Sequence, residues 1–280
     1  MSKPDIKYLA LDMDGTLLSS DHIILPKTKK ALMDLQEKGI QLIIATGRPL
    51  KSIHRYAEEL KLAEYGGLII GSNGGIIYDP KKDEVLYQAK LSKEQVKRIF
   101  EVLENYEIIP YFIDEEDILY TQQDEALVEM SNGETLEVFD FELAMSDDYR
   151  LKNVGSLKDY VDWSIDKVLN TASPKYISDN YKKIQAELGE DFTVVPSLDF
   201  ILEIFRSDIS KGNALEFIEK DFNHTMAFGD GMNDYHMLEV AKYSIAMGNA
   251  AEEIKALATD ITDTNDNEGI YKALKKYQII

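Results

Sequence analysis

Tyr8-Leu9-Ala10-Leu11-Asp12-Met13-Asp14-Gly15-Thr16-Leu17-Leu18 sets the reading of the whole chain. An apolar, β-prone run stops at two carboxylates one residue apart, and a glycine follows. Unbroken apolarity from Tyr8 to Leu11 reads as a short strand buried on both faces. In open α/β sheets the ligand crevice lies just beyond the carboxyl ends of such strands. Asp12 then stands at the crevice and Asp14 reaches over it. Crowded carboxylates repel each other unless a cation lies between them or one holds a proton. The segment therefore calls for a hard cation, most simply Mg²⁺, which prefers oxygen ligands. Asp-x-Asp-Gly equally suits a plain turn. An EF-hand calcium loop is not supported, because Leu17 and Leu18 stand where further oxygen ligands belong.

Outward from this stretch, the chain alternates. Pro26 to Lys38 reads as an amphipathic helix with Ala31, Leu32 and Leu35 inward, stopped by Gly39. Ile40 to Ala45 is a second buried strand, ending at Thr46-Gly47-Arg48-Pro49, and Leu50 to Leu60 a second helix. Gly67 to Gly71 is a third strand, running into the turn Ser72-Asn73-Gly74-Gly75. Strand, helix, strand, helix, strand implies right-handed crossovers and a parallel sheet. From about Asp83 the rhythm changes. A helix begins at Ser92, Tyr111-Phe112-Ile113 and Ile118-Leu119-Tyr120 form a hairpin around Asp114 to Asp117, and Gln122 to Asp166 is polar without clear periodicity. A short strand at Val168 to Asn170, a helix from Ser173-Pro174 to Leu188, and strands at Phe192 to Val195 and Phe200 to Phe205 close this region. The first rhythm then returns: helix Ser210 to Phe222, strand Thr225 to Phe228, helix Tyr235 to Ala241, strand Tyr243 to Ala246, helix Ala250 to Leu257, strand Asp260 to Thr262 and helix Glu268 to Tyr277. The fold expected is α/β, a Rossmann-like parallel-sheet core made of residues 1–82 and 204–280, with an α/β domain, residues 83–203, inserted into it. A structureless loop of that length would be implausible.

Composition narrows the function. The 280 residues suit one large or two moderate domains. Lys and Arg number 31 against 51 Asp and Glu, a net charge of −20, which opposes nucleic-acid or anionic-lipid binding. Any phosphate site must then be local, built from a metal, a few cations and backbone amides. No apolar run reaches membrane-spanning length, and Met1 to Asp5 lacks a signal peptide's apolar core. With no cysteine, disulfides and thiolate zinc sites are excluded. A cytoplasmic enzyme is expected; the oligomeric state is not legible. The four histidines make no metal spacing and default to the surface. Trp163 and the tyrosines suit core or surface, with Tyr111 and Tyr120 as candidate pocket walls.

Three strand ends carry polar groups able to converge: Asp12 with Asp14, Thr46, and Asp230 with Asn233 and Asp234. Lys211 opens a helix, where a cation is slightly disfavoured, so a nearby anion is favoured. Each has a dull alternative: a strand-end threonine, an exposed lysine, a Gly-Asp-Gly turn, helix caps at Asn233 and Asp234. Together they match phosphoryl transfer, which needs a nucleophile, a proton shuttle, a metal and donors around the equatorial oxygens. Asp12 is the candidate nucleophile, forming an aspartyl-phosphate. Asp14 is the acid for the leaving alcohol and then the base for water. Asp12, the main-chain carbonyl of Asp14, and Asp230 would hold Mg²⁺. Thr46, Lys211 and the amides of Met13 and Gly47 would hold the phosphoryl oxygens. No Gly-Lys-Ser/Thr loop supports a P-loop enzyme.

Asp-Met-Asp-Gly-Thr-Leu-Leu, Ala-Thr-Gly-Arg-Pro, Ser-Lys-Gly-Asn-Ala-Leu and Phe-Gly-Asp-Gly-Met-Asn-Asp as a series resemble the haloacid dehalogenase superfamily. The series is most similar to its Cof-type hydrolases, whose large α/β cap is inserted between the second and third motifs. Ser72-Asn73-Gly74-Gly75, Ala246-Met247-Gly248-Asn249-Ala250 and Thr264-Asn265-Asp266-Asn267-Glu268-Gly269 match that group too. The residue roles above agree with those the resemblance implies. Asn233 joins the phosphate-binding set, and Asp234, Arg48 and Asn73 are supporting residues. Met13, often leucine in the family, contributes only backbone. The resemblance implies a Mg²⁺-dependent phosphatase of small phosphorylated metabolites, such as sugar phosphates or a flavin nucleotide, with the cap choosing the leaving group. The competing readings are a phosphomutase or other phosphotransferase sharing the aspartyl chemistry, and a non-catalytic phosphate-responsive module. The last would have little use for Asp14 or for a large insertion.

Overall fold

Leu9, Ala10 and Leu11 are wholly buried because the Tyr8–Leu11 strand has neighbours on both edges and is covered on both faces. Thr225–Gly229 pairs with it on one side and Gln41–Ala45 on the other, both parallel. Leu11 lies level with Phe228 and with Ile44. That register brings Asp12, Gly229-Asp230 and Ala45-Thr46 out at one edge of the sheet. The positions that matter for chemistry are set by pairing, before any side chain is considered.

The computed structural model describes residues 4–121, 125–144, 149–220 and 222–280. The expectation for Met1 to Lys3 lies outside the described residues, as does the part of the polar Gln122 to Asp166 stretch at 122–124 and 145–148. Asp221 lies outside them too; the helix expected to reach Phe222 runs over Lys211–Ile218. The chain divides into two compact units, Met1–Gln88 with Ile209–Ile280, and Ala89–Asp208.

The first unit holds an eight-stranded sheet. Its order is Asp260–Ile261, Tyr243–Ala246, Thr225–Gly229, Tyr8–Leu11, Gln41–Ala45, Leu68–Gly71, Ile76–Asp79 and Glu84–Gln88. The first six strands run parallel; Ile76–Asp79 pairs antiparallel with Leu68–Gly71, and Glu84–Gln88 pairs antiparallel with Ile76–Asp79. Apolar side chains fill both faces, Leu9, Leu11, Ile44 and Phe228 on one and Ala10, Ile43, Ile70 and Ala227 on the other. This alternation within continuously apolar strands is what a doubly covered sheet requires. The sequence boundary at residue 83 is corrected here. Glu84–Gln88 pairs with Ile76–Asp79 across a turn in which Asp83 takes φ of 54°, so it belongs to this sheet. A strand followed by a helix looks the same in sequence whether the strand pairs backward or forward.

The second unit is a six-stranded sheet ordered Arg150–Asn153, Asp117–Tyr120, Ile109–Asp114, Val168–Thr171, Ile201–Arg206 and Phe192–Leu198. Ile201–Arg206 pairs along its length with two neighbours, so a boundary at residue 203 would cut a strand. Helices Lys93–Leu103 and Pro174–Leu188 lay Val96, Ile99, Phe100, Ile177 and Ile184 against Phe112, Val168, Leu202 and Ile204. Ser92 and Ser173 cap these helices through their side chains. The expected hairpin forms around Glu115, whose φ is 54°. Tyr111, a candidate pocket wall, is instead fully buried and donates to Glu142 Oε1 at 2.5 Å. Tyr120 packs on Phe139, with ring centroids 4.8 Å apart. Among the described residues no helix is long and apolar enough to cross a membrane.

Candidate active site

Beyond the carboxyl edge of the first sheet, Lys211 is fully buried with its ammonium shared between two carboxylates. Nζ donates to Asp12 Oδ1 and to Asp234 Oδ1, each at 2.6 Å. Ser210 caps the helix that carries Lys211, its Oγ accepting from the Asn213 amide at 3.0 Å. Asp234 closes the turn that follows Thr225–Gly229. Its Oδ2 accepts from the amides of Asp230 and Gly231, 3.0 Å each. Both Asp234 oxygens are thus committed, one to lysine and one to the backbone of the loop that presents Asp230.

Asp230 is fixed by two residues that the sequence reading left without a role. Thr16 Oγ1 donates to Asp230 Oδ1 at 2.9 Å. Asn249 Nδ2 donates to Gly15 O at 2.8 Å and to Asp230 Oδ2 at 3.3 Å. Gly15 has φ of 75°, and a Cβ there would lie 2.8 Å from Asp230 Cγ. Only glycine allows both that backbone conformation and that approach. The signal for Thr16 and Asn249 is their place, five and three residues past the ends of buried strands.

Oxygens of Asp12, Asp230 and Asp234 lie within 4.8 Å of one another. One ammonium against three carboxylates leaves an excess of negative charge. Burial, then the charge of Asp234, pushes the Asp12 carboxyl well above the ordinary range despite the opposing pull of Lys211. Asp230 rises from 3.8 to about 6, by burial first and then Asp234, with the Thr16 hydrogen bond opposing. Burial alone would lower Lys211; the charges of Asp12 and Asp234 outweigh it and hold the lysine above its usual range.

Asp14 is not in this cluster. Its carboxylate pairs with Arg48, whose Nε donates to Oδ2 at 2.7 Å and whose Nη2 donates to Oδ1. Arg48 is largely buried whereas Asp14 is partly exposed. Burial would lower the guanidinium, but the Asp14 hydrogen bond and charge more than offset this and raise it. Thr46 is buried and its Oγ1 accepts from the Arg48 amide at 3.2 Å. The Asn73 amide donates to Thr46 O at 3.0 Å, and Asn233 Nδ2 donates to Asn73 Oδ1 at 3.1 Å. A Cβ on Gly47 would come 2.8 Å from that same Asn73 Oδ1. Met13 keeps its side chain wholly in the core. Candidate residues from five separate segments therefore lie within one unit. His236 is half-buried, and its Nδ1 is 2.7 Å from Ser210 Oγ.

The family model for haloacid dehalogenase-like hydrolases matches residues 9–274. The chain belongs to the haloacid dehalogenase-like hydrolases. It is 30% identical to phosphatase YwpJ of Bacillus subtilis, over 96% of this chain and 99% of that one. It is 28% identical to 5-amino-6-(5-phospho-D-ribitylamino)uracil phosphatase YitU of the same organism, over 96% of each. Among solved structures, a haloacid dehalogenase-like hydrolase from Bacteroides thetaiotaomicron matches with a TM-score of 0.80 at 27% identity, over 97% of this chain and 99% of that one. This haloacid dehalogenase-like hydrolase thus shares its α/β core, and the unit inserted into it, with that fold at nearly full length.

Proposed function

We propose that this enzyme is a phosphoric monoester hydrolase that dephosphorylates small phosphorylated metabolites of the sugar- or polyol-phosphate class, with Mg²⁺ as cofactor. The observation that carries this reading is the buried Lys211 clamped by Asp12 and Asp234 beside a third carboxylate, Asp230. A purely structural ion pair has no use for the surplus negative charge, which costs stability when buried. A divalent cation neutralises it, and an all-oxygen donor set suits Mg²⁺. Asp12, Asp230 and the main-chain carbonyl of Asp14 would hold it; both oxygens of Asp234 are already engaged. Bound there, the ion would supply charge neutralisation for the phosphoryl group. The phosphatase names of the relatives support the same class.

Lys211 holds Asp12 Oδ1, so the other Asp12 oxygen is the one presented for attack on phosphorus. As that bond forms, the bond to the leaving oxygen breaks, and Asp14 gives that oxygen its proton. Asp14 then takes a proton from water, whose oxygen attacks the aspartyl-phosphate and frees both inorganic phosphate and Asp12. Two of the three ammonium hydrogens of Lys211 are used by Asp12 and Asp234, leaving one for a phosphoryl oxygen. Thr46 Oγ1 and the amides of Met13 and Gly47 complete the donor set, with Asn233 beside it.

Hydrolysis of a generic aryl phosphate and of a sugar phosphate, with and without Mg²⁺, tests the reading. Mg²⁺-dependent phosphate release is expected from wild type, with a loss on the order of 10⁴-fold or more for Asp12→Asn. Undiminished turnover in Asp12→Asn would sink the mechanism. Conversion of a sugar phosphate without free phosphate would mark a mutase instead.

A further inference from the structure

We infer that His236 is a positioning residue for Lys211, acting through the hydroxyl of Ser210. Ser210 immediately precedes Lys211 and caps its helix; its Oγ accepts from the Asn213 amide at 3.0 Å and lies 2.7 Å from His236 Nδ1. The Ser210 oxygen takes the amide hydrogen on one lone pair, and in the arrangement inferred its own single hydrogen goes to the ring nitrogen. In that arrangement Nδ1 accepts and the ring hydrogen is on Nε2. Gly212 also comes close to the ring. A Cβ on Gly212 would fall 2.6 Å from His236 Cγ and 2.7 Å from Nδ1, so the helix start leaves no room between itself and the imidazole. His236 sits two residues after Asp234, in the helix Tyr235–Val240. One hydrogen bond therefore ties the backbone that carries the lysine to the backbone that carries its carboxylate partner. The lysine stem is long and flexible and loses rotamer freedom when its ammonium is held in one place. Holding its base and its acceptor in one register keeps the ammonium at Asp12 Oδ1 and its third hydrogen aimed at the phosphoryl site.

This inference rests on the role proposed for Lys211. The test is a double-mutant cycle on the full-length enzyme with Ser210→Ala, His236→Leu and the pair, reading kcat, KM, competitive inhibition by inorganic phosphate, and thermal unfolding. Each single variant is expected to lower kcat/KM and weaken phosphate inhibition by about tenfold, and the pair by no more than either alone. His236→Asn, whose amide oxygen stands at the Nδ1 position, is expected to recover most of the loss. His236→Gln, whose oxygen stands at the Nε2 end, is not expected to recover it, and serves if the leucine variant does not fold. In wild type, ¹⁵N NMR should show His236 Nδ1 unprotonated at neutral pH. Multiplicative losses in the pair, no rescue by asparagine, or a protonated Nδ1 in the neutral ring would each overturn the inference. A wild type that hydrolyses no phosphate ester would defeat the proposed reaction instead, and the NMR result would still stand or fall by itself.

Discussion

Asp14 and Asp12 are two positions apart yet occupy opposite environments, one paired with Arg48 at the surface and one buried against Lys211. That split is what would let two carboxylates in one loop take the different roles proposed for them. In the proposed mechanism, Asp14→Asn removes the acid and the base while leaving the nucleophile. An aryl phosphate, with its good leaving group, needs little acid. Stopped-flow assays of this variant should show a burst of aryl alcohol followed by turnover slowed about 10²- to 10⁴-fold. For an alkyl phosphate the burst should vanish. Asp230 yields a pH prediction. Its folded-state value of about 6 exceeds its ordinary 3.8, so the folded, cation-free protein holds the proton more tightly than the unfolded chain. Its contribution to stability is complete below pH 3.8 and is lost as pH rises through about 6. In chelator at about pH 7.5, Asp230→Asn should therefore melt higher than wild type, by about 1–3 kcal/mol, with the gain gone near pH 4. Calorimetric titration should show the same variant losing Mg²⁺ affinity.

Elements far apart in sequence fasten one another. The helix Pro26–Glu37 has no side-chain cap of its own at Leu25. Glu268 supplies it: Oε2 accepts from the Thr28 amide at 2.7 Å and its hydroxyl at 2.6 Å, and Oε1 from the Lys27 amide at 3.0 Å. Two residues earlier, Asp266 accepts from the Ser20 amide and hydroxyl, 2.7 Å each. The Thr264 to Gly269 loop thus pins the segment that leaves Asp12 and Asp14. Burial acts to raise the Glu268 carboxyl, and the Thr28 and Lys27 hydrogen bonds outweigh it, leaving it lowered. A lowered folded value gives stability above the ordinary 4.5 that is lost as pH falls through it. Glu268→Ala should cost about 1–2 kcal/mol in urea unfolding at neutral pH and less below pH 4. An unchanged midpoint at neutral pH would contradict the capping role.

The whole molecule carries a charge of −20 and acts, in the proposed reading, on an anion. Its long-range field repels that substrate while the local donors attract it. Added salt screens the first beyond about 10 Å and leaves the second largely intact. Raising salt from about 20 to 150 mM should increase kcat/KM for a sugar phosphate by about two- to five-fold. A steep fall would mean that a basic approach surface, invisible in the net charge, governs capture. Each compact unit has apolar clusters of its own, which is the physical reason the insertion reads as a domain and not as a loop.

By itself the sequence determined the parallel core, the inserted unit and the convergence of Asp12, Lys211 and Asp230, because buried strands write themselves as apolar runs and strand ends share one edge. It did not determine the pairing of Glu84–Gln88, since a strand's partner is chosen by what lies across the sheet and leaves no mark in the strand itself. Nor did it reveal Thr16, Asn249 or His236 as partners of Asp230 and Ser210. Small polar residues read alike whether they cap, turn or hold a catalytic group. Their roles follow from which donors and acceptors burial brings within 3 Å or so, and only the tertiary structure decides that.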